Sequence, residues 1–359
     1  MKENNLKATD LTQEIQARVS EAITRRQTLN IVSGGSKSFY GREPVGEPLP
    51  VSGHQGIIEY EPGELVLTAR CGTPLAELES LLADEGQMLP FEPPHFGAAT
   101  LGGAVASGLS GPRRPFTGAV RDFVLGVKMV TGRGEVLAFG GRVMKNVAGF
   151  DLSRLLAGSL GTMGVLLEIS LKVLPRPALE VTVRREMSSS SALESMATLM
   201  SRSLPLSGLC YQEPFLYVRV AGTENAVAAA IETIEGEAWE EGECFWQDLR
   251  EQRLPFFTEG TANLWRLSQA PSTPVLDFDG EWLLDWGGAQ RWLRSHASAE
   301  QLFDYAAQVG GHATLFRTQS PRHRIFQPLP PALARLHRTL KASFDPHGIF
   351  NPGRMYEEF

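Results

Sequence analysis

The sequence predicts an α+β protein with one domain over residues 1–175, a smaller α+β domain over 176–340 and a terminal segment over 341–359. Three observations point there. Short apolar runs and amphipathic stretches follow one another irregularly, without the long regular βαβ repeats of a doubly wound sheet. Runs of small residues rich in glycine punctuate the first half at 33–38, 93–111 and 158–164. Pro175 and Pro177 then close that half, and the chain changes character beyond them.

The first element is an amphipathic helix over residues 10–27. Leu11, Ile15, Val19, Ala22 and Ile23 recur at helical spacing, and Asp10 stands where a cap is expected. A short apolar strand, Leu29–Val32, runs directly into Ser33-Gly34-Gly35-Ser36-Lys37-Ser38. A strand that delivers a small-residue loop can present backbone amides to phosphate. Neither standard phosphate motif fits, because Ser36 stands where a Walker loop needs Gly before its Lys. Gly132-Arg133-Gly134 starts a dinucleotide fingerprint, but Leu137 occupies the place of its third Gly. The residues of 33–38 therefore suit either a plain turn or an unconventional phosphate loop.

Ile57–Tyr60 and Leu65–Ala69 read as strands around the turn Glu61-Pro62-Gly63. Thr73 and Pro74 suit the N-cap and first position of a helix whose buried stripe is Leu75, Leu78, Leu81 and Leu82 and which stops at Gly86. Met88–Phe91 is extended and feeds the glycine stretch from Pro93 to Gly111, in which five of nineteen residues are Gly. Such a run builds no core; it suits a surface loop or a backbone that lets a ligand approach closely. Arg113, Arg114 and Arg121 follow it and are either phosphate contacts or solvated surface. Phe123–Val130 and Glu135–Phe139 make a hairpin, the segment from Lys145 to Leu152 leads to the third glycine cluster at 158–164, and Val165–Leu174 is a strongly apolar strand.

In the second half, Val181–Arg184 and Phe215–Ala221 read as strands, and Ala192–Ser201 and Glu224–Glu235 as helices. Glu235–Glu243 is an acidic run expected on a solvated face, and Trp282, Trp286 and Trp292 surround a turn at Asp285-Trp286-Gly287-Gly288. A sheet with helices on one face accommodates this pattern. Ala332–Ala342 is a last helix, before Phe344 to Arg354.

With 359 residues, 42% hydrophobic and 21% charged, the chain has ample material for a core. Its formal net charge of −7 argues against a general nucleic-acid surface. Cys71, Cys210 and Cys244 are far apart and form no C-x-x-C pair, so neither a disulfide framework nor an iron–sulfur or zinc site is encoded. The polar N-terminus has no apolar signal segment, and no run approaches the roughly 20 apolar residues of a membrane span. A reducing cytoplasm is expected, with any membrane contact made through a partner.

Taken in order, the small-residue segments resemble those of the FAD-binding flavoproteins of the vanillyl-alcohol oxidase (PCMH-type) family. SGGSKS at 33–38 is similar to that family's pyrophosphate loop, and TLGGAVASGLSG at 100–111 to its second flavin-binding segment. GSLGTMGVLLEISLKVLP at 158–175 is similar to its third, and DPHGIFNPGR at 345–354 to the segment that returns from the cap to the flavin. The resemblance implies a PCMH-type FAD-binding domain of two α+β subdomains followed by a smaller α+β cap domain. It implies cofactor contacts from Ser33, Gly34, Gly35, Ser36, Lys37, Ser38, Pro94, Thr100, Leu101, Gly102, Gly103, Ser107, Gly164, Val165 and Asn351. Amides of 33–38 and of Thr100–Gly103 would hold the pyrophosphate, with Ser107 toward the flavin and Gly164 and Val165 toward the adenosine or isoalloxazine edge. Relatives that attach flavin covalently do so through a His in the first loop; this loop has none, which implies noncovalent FAD.

Catalytic groups are not evident. The seven His residues are isolated and none forms a pair with metal-ligand spacing, so no metal is expected. His312 and His323 flank Arg317, Arg322 and Arg324, which suit a carboxylate. The resemblance implies an FAD-binding subunit of a complex that oxidises glycolate to glyoxylate, alongside a homologous flavoprotein subunit of the GlcD type and an iron–sulfur subunit of the GlcF type. Its place would be cytoplasmic or, through the complex, peripheral at the inner face of the membrane. A stand-alone FAD-dependent 2-hydroxy acid dehydrogenase and a structural subunit that has lost its flavin are the alternatives.

Overall fold

A computed structural model describes residues 8–141, 151–274 and 278–359. The segment from Lys145 to Phe150, expected to lead into the third glycine cluster, lies outside the described residues.

Helix α1 (Thr12–Arg25) buries Ile15, Val19 and Ala22. Asp10 stands one turn position earlier than expected, outside the N-cap at Leu11, and accepts the Thr12 amide at 2.9 Å. Strand β1 (Leu29–Val32) pairs in parallel with β2 (Glu47–Pro50), a ladder the sequence reading missed because two prolines disguise β2. Strands β3 (Ile57–Glu61) and β4 (Val66–Arg70) form the expected antiparallel pair. With β5 (Val124–Val130), β6 (Val136–Gly140) and β7 (Val165–Lys172) they make a five-stranded antiparallel sheet of order β3-β4-β7-β5-β6. β7 is central and apolar on both faces: α1, β1 and β2 cover Val165 and Leu167, while Ile169 and Leu171 face the core that contains α2 (Leu75–Asp84).

The cap on α2 differs from expectation. Pro74 is the N-cap, with extended ψ of 136°, and Thr73 is turned away to accept the Gly56 amide at 2.9 Å. The Thr hydroxyl is fully buried and satisfies a buried loop amide in place of a helix end.

The glycine stretch is neither loop nor extended chain throughout. Its centre folds as a short helix, α3 (Leu101–Ser107), with Thr100 as N-cap accepting from the Gly103 amide at 3.3 Å and Gly108 at φ 66° closing it. Small residues make this possible because α3 lies against the end of β4. A Cβ at Gly102 would stand 2.7 Å from that of Cys71.

The second half builds an eight-stranded antiparallel sheet from β8 (Leu179–Glu186), β9 (Leu206–Gln212), β10 (Phe215–Gly222), β11 (Asn263–Ser268), β12 (Glu281–Asp285), β13 (Gln290–Ser295), β14 (His312–Arg317) and a two-residue edge strand, Glu237–Ala238. The order is edge-β8-β10-β9-β12-β13-β11-β14. Alternation along the strands divides its side chains. Leu209, Tyr211, Leu216 and Val218 pack under α4 (Ser189–Met200) and α5 (Glu224–Ile234), and α7 (Ala299–Gln308) covers the far end. Cys210, Tyr217, Leu283, Trp292 and Phe316 face the other way, toward the first half. Helices on one face alone is therefore a correction: α6 (Gly242–Glu251), which begins inside the acidic run, covers this second face with Phe245, Trp246 and Leu249. The acidic residues hid an amphipathic helix whose apolar side has only three large residues.

Helix α8 (Pro331–Phe344) leads back to the first half. Its one buried residue, Lys341, donates to Asp345 Oδ2 at 2.6 Å, to the Thr162 carbonyl at 2.6 Å and to the Phe350 carbonyl at 2.8 Å. Asp345 in turn accepts the amides of Ile349 and Phe350, and these two residues enter the core beside α1. No helix among the described residues is long and apolar enough to cross a membrane.

Candidate functional site

β1 ends at a cavity of about 180 Å³ walled by the loop 33–38, by Gly103, Ala106 and Ser107 of α3, by the turn around Gly161 and by the terminal segment. The loop is shaped from outside. Arg354 Nη2 donates to the carbonyls of Ser38 at 2.8 Å and Tyr40 at 2.7 Å, and its Nη1 donates to that of Arg42. Burial pushes the Arg354 guanidinium down to about 10. At the other end, Ser33 Oγ lies 2.8 Å from Thr100 Oγ1. A Cβ at Gly34 would overlap the Ala98 carbonyl, so glycine there serves loop packing.

Among the described residues, the amides of Gly34, Gly35, Ser36 and Lys37 have no protein partner. Lys37 reaches only Ser36 Oγ at 3.5 Å and the His95 carbonyl at 3.3 Å. Burial lowers its ammonium to about 8, against the opposing pull of Glu251. Lys37 and Arg354 both line the cavity, and among the described residues no Asp or Glu does. A row of free amides with two cations and no acid suits a phosphate-containing ligand.

Of the fifteen expected contact residues, twelve line this cavity: Ser33 to Ser38, Thr100, Gly102, Gly103, Ser107, Gly164 and Asn351. Three do not. Pro94 lines a separate, smaller cavity beside the eight-stranded sheet. Leu101 is 1% exposed in the core under the five-stranded sheet, and Val165 is wholly buried among α1, β1 and β2. The amides assigned to Thr100–Gly103 also need correction: those of Leu101 and Gly102 go to the carbonyls of Thr73 and Cys71 at 2.9 and 2.7 Å, and that of Gly103 caps onto Thr100. Backbone hydrogen bonding at a helix start has used them. Gly164 lines the cavity, but its missing side chain makes room for Met129 and Val130 of β5.

Asn351 contributes mainly position. Its Oδ1 accepts the Ile31 amide at 2.8 Å and its Nδ2 donates to the Leu160 carbonyl at 2.7 Å. Sequence reasoning missed Ile31, Cys71, Leu160, Gly161 and Arg354 as wall residues. Leu160 and Gly161, inside the quoted segment at 158–175, and Arg354, at the end of the quoted DPHGIFNPGR segment, carried a signal that could have been used.

The arginines after the glycine stretch are not phosphate contacts. Arg113 is buried in a network with Glu92 and Glu180 that also takes in Arg219, and Arg114 stacks 4.3 Å over Trp286. Of the three arginines considered for a carboxylate, Arg322 pairs with Glu43 at 2.6 Å and Arg324 with Glu300; Arg317 binds Gln252 and has no carboxylate partner among the described residues. Among the described residues no group of His, Cys, Asp and Glu is arranged to hold a metal ion.

A family model described as an FAD binding domain matches residues 8–140. The chain is 51% identical over 355 residues to the glycolate oxidase subunit GlcE of Escherichia coli, covering 98% of this chain and 99% of that protein. It is also 32% identical to glycolate oxidase subunit GlcD of Bacillus subtilis over 127 residues, 35% of this chain and 27% of that one. Among solved structures, p-cresol methylhydroxylase with substrate bound aligns at a TM-score of 0.74 and 15% identity, covering 96% of this chain and 87% of that one, a likeness of fold.

Proposed function

We propose that this chain, which belongs to the GlcE family of PCMH-type FAD-binding flavoproteins, is the FAD-holding subunit of a glycolate oxidase complex. The observation that carries the flavin assignment is the row of four amides that, among the described residues, have no protein partner and share with Lys37 and Arg354 a cavity that no described Asp or Glu lines. A dinucleotide's pyrophosphate carries about two negative charges and is best held by such donors. Gly34 to Lys37 would hold it, Gly103 and Ser107 would border the path of the rest of the cofactor, and Asn351 and Arg354 would keep the walls in register. FAD, when bound, supplies the two-electron acceptor for oxidation of a hydroxy acid. The loop has Ser36 and Lys37 and no His, which supports noncovalent attachment.

The partners follow from the same membership. A GlcD-type flavoprotein is one subunit, and an iron–sulfur subunit of the GlcF type would take the electrons onward, since Cys71, Cys210 and Cys244 are scattered over the fold. The cap, residues 176–340, would close over the flavin from the side of Trp292 and Phe316, with 1–175 and 341–359 forming the cofactor domain. A subunit that had lost its flavin would have no reason to leave four loop amides unpaired. Co-purification of the native complex with flavin counted per subunit tests this: one FAD on this chain is expected, and a colourless chain that refuses added FAD overturns it.

A further inference from the structure

The turn against which Lys37 rests is held from the other half of the molecule. We propose that Glu251, the last residue of α6, is a positioning residue for the cofactor: it fixes the backbone at His95 and Phe96 that carries the Lys37 ammonium, and so sets that cation against the pyrophosphate. The proposal deepens the function above and rests on it for the identity of the ligand; the tether itself is read from the geometry.

Glu251 Oε2 accepts the amides of His95 at 3.1 Å and of Phe96 at 2.9 Å, and Oε1 lies 3.2 Å from the His95 amide. These bonds reach across 156 and 155 positions of sequence. Phe96 sits at φ 53°, a left-handed conformation that a bulky side chain seldom adopts, so this turn needs support from outside. A carboxylate that takes two successive amides supplies it. The helix has no use for the acid on its own account. A negative charge in the last turn of α6 faces the negative end of the helix dipole.

The same two residues carry the cation. Lys37 Nζ donates to the His95 carbonyl at 3.3 Å and stands 5.7 Å from the ring centroid of Phe96. Glu251 therefore holds the N–H side of His95 while Lys37 holds its carbonyl, and Lys37 lines the cavity. Charge follows the same route. The Glu251 side chain is 10% exposed. Burial by itself would raise its carboxyl, but the Phe96 amide, the Arg250 guanidinium and the His95 amide together hold it below the ordinary range. The anion in turn opposes the lowering of Lys37 by burial. The other charged groups facing this cluster are Arg250 on Glu251, Glu79 at 3.1 Å from His95 Nε2, and Arg317 at 5.2 Å from the Phe96 centroid. Arg354 lines the cavity together with Lys37.

Fluorescence titration of FAD into the full chain, stripped of flavin, tests the proposal between pH 6.5 and 9.5, with melting temperature read on the same samples. Glu251→Gln keeps one oxygen for both amides and removes the charge. At pH 6.5 it should bind FAD within about twofold of the parent. Its weakening with rising pH should set in earlier, because Lys37 has lost the anion that opposes its burial. Glu251→Ala removes the oxygen as well and should weaken FAD about tenfold at pH 6.5. In a Lys37→Met background the same Glu251→Ala change should cost less than about twofold. Glu243→Gln, exposed on the same helix, should leave binding unchanged. Parent-like affinity and pH profile in both Glu251 variants would overturn the proposal. So would a loss in Glu251→Ala that persists undiminished beside Lys37→Met, since the residue would then serve the fold alone. If Glu251→Ala does not fold, the pH profile of Glu251→Gln decides. A parent chain that takes up no FAD overturns the cofactor assignment and this proposal together, and the first titration shows it.

Discussion

Asn351 accepts the amide of Ile31 at 2.8 Å across 320 positions of sequence. With its other end on Leu160, this one carboxamide ties β1, the third glycine cluster and the terminal segment into a single wall of the cavity proposed for FAD. Its backbone sits at φ 40°, a left-handed conformation that Asn tolerates better than most residues.

Asn351→Leu removes both hydrogen bonds and leaves a buried amide and carbonyl unpaired. A loss of about 2–4 kcal/mol in stability is expected, larger than for an exposed Asn. Denaturant unfolding measures it, and flavin retention should fall in parallel. An unchanged midpoint would mean that the wall is held by other contacts.

Gly102 and Gly103 should behave as opposites. Gly102→Ala forces a methyl against Cys71 and should cost about 1–3 kcal/mol, whereas Gly103→Ala meets only Thr100 Oγ1 at 3.3 Å and should fold well. Gly103→Trp fills the cavity, so flavin absorbance should disappear while circular dichroism stays native. Normal flavin content in that variant would refute the placement of the cofactor.

With FAD held as proposed, Lys37 should make its affinity depend on pH. Its free-state ammonium is lowered to about 8 by burial, and an anionic ligand favours the charged form. Below pH 8 the charge is already present; above it, binding must take up a proton, so affinity should weaken steadily from pH 8 toward 10. Fluorescence titration of FAD should show this slope in the parent chain and a flatter one in Lys37→Met. The neighbouring charge on Glu251 acts in the opposite sense to burial and remains in both.

Asp285 is buried, and desolvation pushes its carboxyl up to about 7, although it accepts the Trp286 amide and Gln290 Nε2. Glu92 raises it further and Arg219 opposes. The folded state therefore binds this proton more tightly than the unfolded chain. Stability from this group is full below pH 4 and is lost as pH rises to 7, on the order of 4 kcal/mol in all. Asp285→Asn should remove that slope, so the difference in melting temperature between variant and parent should shift in the variant's favour from pH 5 to pH 8. A constant difference would show that Asp285 stays ionised throughout.

Much of this was legible in the amino-acid order. The stripe of α1, the β3–β4 pair, the hairpin of β5 and β6, the apolar β7 and the four small-residue segments are local patterns, since periodicity and glycine content act over a few residues. What those segments do with their backbone was decided elsewhere. The amides of 100–103 looked as available as those of 33–38, yet those of Leu101, Gly102 and Gly103 go to the carbonyls of Thr73 and Cys71 and to the cap at Thr100, while those of Gly34 to Lys37 have no protein partner among the described residues. Arg113, Arg322 and Arg324 looked as free as Arg317, and carboxylates distant in sequence claimed them. The sequence by itself determined which stretches can approach a ligand closely, because that is a property of side-chain size. Only the tertiary structure decided which donors and charges remain unpaired there, because a partner may stand hundreds of residues away, as Asn351 does from Ile31.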